Sequence, residues 1–106
     1  MNSNKLTRGA TASFVFSLDT LTASFSDMDI WLVQCNEVIK KWKLDECEKV
    51  GDNRLVAALD PIESIRLKTS EKAQIQLRGK TSEGGIAISR IYDIVVLPYI
   101  GEDAPL

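Results

Sequence analysis

Apolar and polar positions alternate with a period of two along most of this chain, the pattern of half-buried strands. The run Thr11–Leu18 puts Phe14, Phe16 and Leu18 on one face and Ser13, Val15 and Ser17 on the other. Asp19 to Asp27 reads as a connection around Leu21 and Phe25. Met28–Cys35 holds the unbroken apolar stretch Ile30-Trp-Leu-Val33, so both faces of that strand should be covered. Asn36-Glu37 separates it from Val38–Leu44 and predicts a hairpin. In that second arm Val38, Trp42 and Leu44 share a parity with Lys40, whose stem can lie along apolar surface. A turn signal at 51–53 precedes a short strand, Arg54–Leu59.

The clearest local signal is Asp60-Pro-Ile-Glu63. It has a capping aspartate, proline at the first helical position and a glutamate three residues after the cap. One short helical turn is expected near residues 61–67, with Ile62 and Ile65 pinning it to the core. Lys72–Lys80 then alternates, Ala73, Ile75 and Leu77 facing one way. Ser82-Glu-Gly-Gly85 predicts a hairpin turn, since paired glycines tolerate positive φ. The last strand runs Ile86–Leu97, with Ile86, Ile88, Tyr92, Ile94 and Val96 on one parity and Arg90 breaking it, as a bulge or a long side chain reaching the rim. Six to eight short strands with turns every ten or so residues predict an all-β protein, an antiparallel immunoglobulin-like β-sandwich. A small barrel is the alternative. The 106 residues make a single domain, 1–106, with residues 1–5 frayed and 99–106 a tail.

Composition narrows the chemistry. Hydrophobic residues are 44% and charged residues 26%, as in folded soluble domains. The net charge of −2 argues against a nucleic-acid binder working through a basic field. The chain contains no histidine, which removes the commonest general base and the commonest zinc ligand. Cys35 and Cys47 read as separate thiols, although spacing does not decide against a disulfide. No cofactor and no metal is expected, and no enzymatic activity. Asp45, Glu46, Glu48 and Asp52 read as a solvated acidic loop around Lys49, not as a calcium loop. Asp27 and Asp29 read as charges guarding a strand edge. No apolar run of about 18 residues could cross a membrane, and the N-terminal run is too interrupted for a signal peptide. No membrane partner is expected.

Trp31 lies in the most apolar strand, which favours the core, while Trp42, set among Lys40, Lys41 and Lys43, is read equally as core or interface. Both faces of Met28–Cys35 and of Ile86–Leu97 are richer in apolar residues than one buried face requires. Another chain is expected to cover the surplus, and the candidate partner interface is Trp31, Val33, Trp42, Ile91 and Val95. A homo-oligomer follows as the simplest arrangement.

A set of residues resembles a known family. Arg8-Gly9-Ala10-Thr11 opens the first strand, followed by Phe14 and Phe16, Gln34 and Asn36 at the first hairpin, and Lys41 in the returning strand. Gly51-Asp-Asn53 before Arg54-Leu-Val56, the capped turn Asp60-Pro-Ile-Glu63, Ile75-Gln-Leu-Arg78, Gly84 or Gly85 and Ser89 complete it. These are similar to small immunoglobulin-like sandwich proteins of phages and prophages of Gram-positive bacteria, in particular the N-terminal domain of baseplate upper proteins. The resemblance implies a non-catalytic structural protein, tail- or baseplate-associated, with other phage structural proteins as partners. It implies a place in the bacterial cytoplasm during assembly and then in the virion. A carbohydrate- or ligand-binding sandwich module is the alternative reading.

Overall fold

A computed structural model describes residues 4–18 and 24–98. Among them nine strands form two sheets. The strands are β1 (Asn4–Thr7), β2 (Ala12–Ser17), β3 (Phe25–Gln34), β4 (Glu37–Lys43), β5 (Glu48–Val50), β6 (Arg54–Leu59), β7 (Ala73–Thr81), β8 (Ile86–Ile88) and β9 (Tyr92–Leu97). The larger sheet has the order β1-β9-β7-β3-β4, with β8 also on β7, and the smaller is β2-β6-β5. Every pairing is antiparallel except β1 with β9. Ile30, Leu32, Leu77 and Ile94 of the larger sheet and Leu55, Ala57 and Leu59 of the smaller belong to one buried cluster. The sandwich expected from the alternation is therefore present, with its core between the sheets.

The extra strands have simple causes. Asn4 and Lys5, expected to be frayed, lie in β1, held by pairing with Ile94 and Val95. The charged connector contributes β5, which pairs with the start of β6. The expected final strand is two strands. β8 and β9 both pair with β7, but the register shifts by one residue between Arg78↔Ile88 and Ile75↔Tyr92. One extra residue exchanges the two faces of a strand. Ile94 and Val96 are therefore buried as expected, while Ile86 and Ile88 turn outward and are 66% and 63% exposed.

A second irregularity lies in the first hairpin. β3 and β4 are joined by Cys35 and Asn36, both at positive φ (53° and 64°), one residue earlier than expected. Such a two-residue turn matches the twist of the paired strands. The ladder then slips, Val33 facing Val38 and Leu32 facing Lys40. The slip inserts Ile39 into the core and leaves Val38 exposed, against the parity expected for this arm.

The helix α1 is one turn, Pro61–Ser64, capped as the sequence implies. Glu63 N donates to Asp60 Oδ1 at 2.7 Å and Asp60 N donates to Glu63 Oε1 at 3.2 Å. Its buried face differs from the expectation. Ile62 is 80% exposed and Ile65 is also exposed, while Ser64 and Leu67 are buried. Hydrogen bonding fixes this choice: Ser64 Oγ accepts from Gly9 N at 2.9 Å and donates to Ala10 O at 3.0 Å. Asp19–Ala23, which includes the expected connection at Leu21, and the tail 99–106 lie outside the described residues.

Candidate functional site

The five residues expected at an interface separate in the fold. Trp42 belongs to the core, 2% exposed, its ring edge-on to Phe14 and its Nε1 donating to Ala58 O at 2.9 Å. The expectation that it faces a partner is overturned, because a buried indole N–H needs an acceptor and the carbonyl of the facing sheet supplies one. Trp31, Val33 and Val95 are half-buried. They sit at positions that alternate with the buried Ile30, Leu32, Ile94 and Val96, so they belong to the outer face of the larger sheet. Ile91 is exposed in the break between β8 and β9.

Trp31 is the centre of that outer face. Lys41 Nζ lies 4.9 Å from its ring centroid, on the neighbouring β4, and Arg78 Cζ lies 5.4 Å away, on β7 at the other side. Asp29 ties this group together. Its Oδ1 accepts from Trp31 Nε1 and from Arg78 Nε, each at 2.8 Å, and its Oδ2 accepts from Arg78 at 3.2 Å. Burial works against the Asp29 charge, but the bonds from Arg78 and Trp31 and the nearby cations outweigh it and hold its carboxyl below the ordinary value. Asp29 therefore does not guard a strand edge; β3 lies between β7 and β4.

The outer face also carries Ile86 and Ile88, opposite Lys80 and Arg78. It is a mixed surface of isolated apolar side chains and paired charges. Cys35 and Cys47 are free thiols, Cys35 at an exposed hairpin and Cys47 half-buried. Burial and the adjacent Glu46 and Asp45 push the Cys47 thiol upward, away from a reactive thiolate. Among the described residues no group of three or more histidine, cysteine, aspartate or glutamate side chains is placed to hold a metal.

Four of the residues behind the family resemblance, Arg8, Gln34, Asn53 and Ser89, satisfy the backbone. Arg8 Nε donates to Leu67 O at 2.8 Å. Gln34, buried, accepts from Lys68 N at 2.7 Å and donates to Lys68 O and Glu71 O. Asn53 Nδ2 donates to Leu18 O, and Ser89 Oγ accepts from Leu77 N at 3.0 Å. The bonds of Arg8, Gln34 and Ser89 are partly buried, where an unmet backbone group is costly, while that of Asn53 lies at the surface.

Sequence reasoning missed one feature, a groove between the sheets beside β2. Its volume is about 780 Å³, and Phe14, Phe16, Ile75 and Tyr92 are among its lining residues. Phe16 and Tyr92 meet edge to face at 6.4 Å. The alternation in Thr11–Leu18 showed which face of β2 is apolar, but not that its far edge has no neighbouring strand among the described residues.

No family model and no curated protein matches the sequence. Solved structures match the fold. CopC from Methylosinus trichosporium OB3b superposes with a TM-score of 0.59 at 12% identity, covering 92% of this chain and 85% of that one. The extracellular domain of mouse leukocyte-associated immunoglobulin-like receptor 1, a strand-swapped dimer, superposes with a TM-score of 0.52 at 8% identity, covering 90% and 87%. At such identities the likeness establishes the architecture, an immunoglobulin-like β-sandwich.

Proposed function

We propose that this chain is a non-catalytic structural protein of a phage or prophage particle, associated with the tail or baseplate and working by protein–protein contact. One observation carries the reading: the outer face of the larger sheet leaves Ile86 and Ile88 exposed and carries the half-buried Trp31, Val33 and Val95 elsewhere on the same face. No described element lies over that face. Apolar side chains left on one side of a two-layer domain are the raw material of an interface. The resemblance at Arg8-Gly9, Gln34, Asn53 and Ser89 supports the phage setting. Sugar stacking on Trp31 is less well supported, because the ring is already flanked by Lys41 and Arg78.

Particles induced from the bacterium that carries the gene test this directly. Quantitative mass spectrometry of purified particles should find the chain at a fixed ratio to the other tail proteins. Its absence from intact particles, with the protein present in the lysate, would overturn the proposal.

A further inference from the structure

The edge of β2 offers a second way to hold another chain. β2 pairs with β6 alone, over Ala12–Ser17, with no register shift. The direction of its open backbone groups follows from one bond. Leu18 N donates to Asn53 O at 2.7 Å, and Leu18 continues the ladder opposite Asn53. In an antiparallel pair such bonded positions recur at every second residue. Phe16, Phe14 and Ala12 therefore spend their N–H and C=O groups on β6. Ser13, Val15 and Ser17 aim theirs at the open edge, where no described strand meets them.

Nothing in the strand blocks that edge. Residues 11–18 contain no charge, proline or bulge, the usual devices against unwanted pairing. Below the edge lies the groove described above, with a volume in the range of about 300–1,000 Å³ found for binding pockets. A strand laid along β2 would run about 20 Å and drop every second side chain into the groove. Lys5 and Arg90, both exposed, line it, and among the described residues no carboxylate does.

We infer that β2 accepts one extended segment donated by a partner protein, with alternate apolar residues filling the groove and carboxylates meeting Lys5 and Arg90. The inference rests on the proposed role in assembly and specifies how a neighbour is held. A second copy fits less well. Pairing β2 with its own image would bring both copies' Lys5 and Arg90 toward one seam and supply no side chain to fill the two grooves.

The test uses the full chain, labelled with ¹⁵N, and two peptides: acetyl-Glu-Val-Thr-Val-Thr-Val-Glu-amide and the same peptide with lysine at both ends. The acidic peptide should bind saturably, move the amide signals of Ser13, Val15 and Ser17, and bind several-fold more tightly than the basic one. Val15→Pro removes one N–H that points at the open edge and no ladder bond, and should abolish binding. Lys5→Glu with Arg90→Glu, which leaves β2 intact should the proline variant not fold, should reverse the preference between the peptides. Signals that stay still with both peptides would overturn the inference. So would shifts confined to the outer face, or a dimer in sedimentation whose β2 amides are protected without peptide. Mass spectrometry of particles remains an independent readout, so failure of the peptides leaves the assembly role standing and failure in particles does not.

Discussion

Asp29 shows how one side chain organises a surface. It accepts bonds from Trp31 and Arg78 and is mostly buried while Arg78 is mostly exposed. Its carboxyl titrates below the ordinary value, so the folded state binds the proton less readily than the unfolded chain does. The stabilisation is complete above the unfolded value of about 4 and is lost as pH falls through the lowered folded value. Urea midpoints measured from pH 6 down to pH 3 should fall, and Asp29→Asn should flatten that part of the profile. A second residue carries backbone cost: Cys35 at φ 53° occupies the left-handed region without being glycine. Asn tolerates that region better, so Cys35→Asn should raise stability by up to about 1 kcal/mol, read as a higher denaturation midpoint. The sequence located this turn to within one residue but assigned its two positions as Asn36-Glu37. Nothing in the pattern of polar residues distinguishes a turn at 35–36 from one at 36–37; the register of Gln34 with Glu37 does.

Strands and turns were legible where one rule acts alone. The clean alternation of Lys72–Lys80 became β7, and Asp60-Pro-Ile-Glu63 became a capped turn. Asp60→Ala should cost about 0.5–2 kcal/mol, measured by chemical denaturation, because it leaves the Glu63 N–H without its acceptor. The misread parities of β4 and of the last strand come from one-residue slips. The bulge at Ile39 and the break at Ser89–Ile91 each reverse which parity faces inward, and a period-two pattern cannot register an added residue. Trp42 was ambiguous for a different reason: its lysine neighbours suggested solvent, while the ladder opposite Ile30 places it inside. Gly79 in β7 marks a different constraint. A Cβ there would stand 2.7 Å from the ring of Phe25, which packs directly over the backbone. Gly79→Ala should therefore destabilise by about 1–3 kcal/mol through overpacking, with Phe25→Leu in the same chain recovering part of the loss. An unchanged thermal midpoint in the single variant would mean that Phe25 can move aside.

The fold as a whole was readable from short strands and turn signals, whereas the surfaces were not, because a surface depends on which strands end up side by side. Two distinct ones result. The outer face of the larger sheet carries Trp31 with Lys41 and Arg78, and the exposed Ile86 and Ile88. The edge of β2 carries open backbone groups over a groove lined by Phe14, Phe16, Ile75 and Tyr92 together with Lys5 and Arg90. Their chemistry predicts different responses to substitution. Ile86 and Ile88 contribute little to the core, and they stand opposite Lys80 and Arg78 in the ladder. Replacing both with glutamate puts opposite charges across the strands, a pairing that is neutral or mildly stabilising. The denaturation midpoint of Ile86→Glu with Ile88→Glu should therefore stay within the equivalent of about 0.5 kcal/mol of the parent. Association through the outer face should weaken sharply, since two carboxylates would have to be buried against the partner. Binding of the acidic peptide at β2 should be unchanged. Sedimentation and particle incorporation, measured beside the midpoint, separate these effects. Loss of stability in step with loss of association would show that the two isoleucines serve the fold; loss of association alone assigns them to the interface.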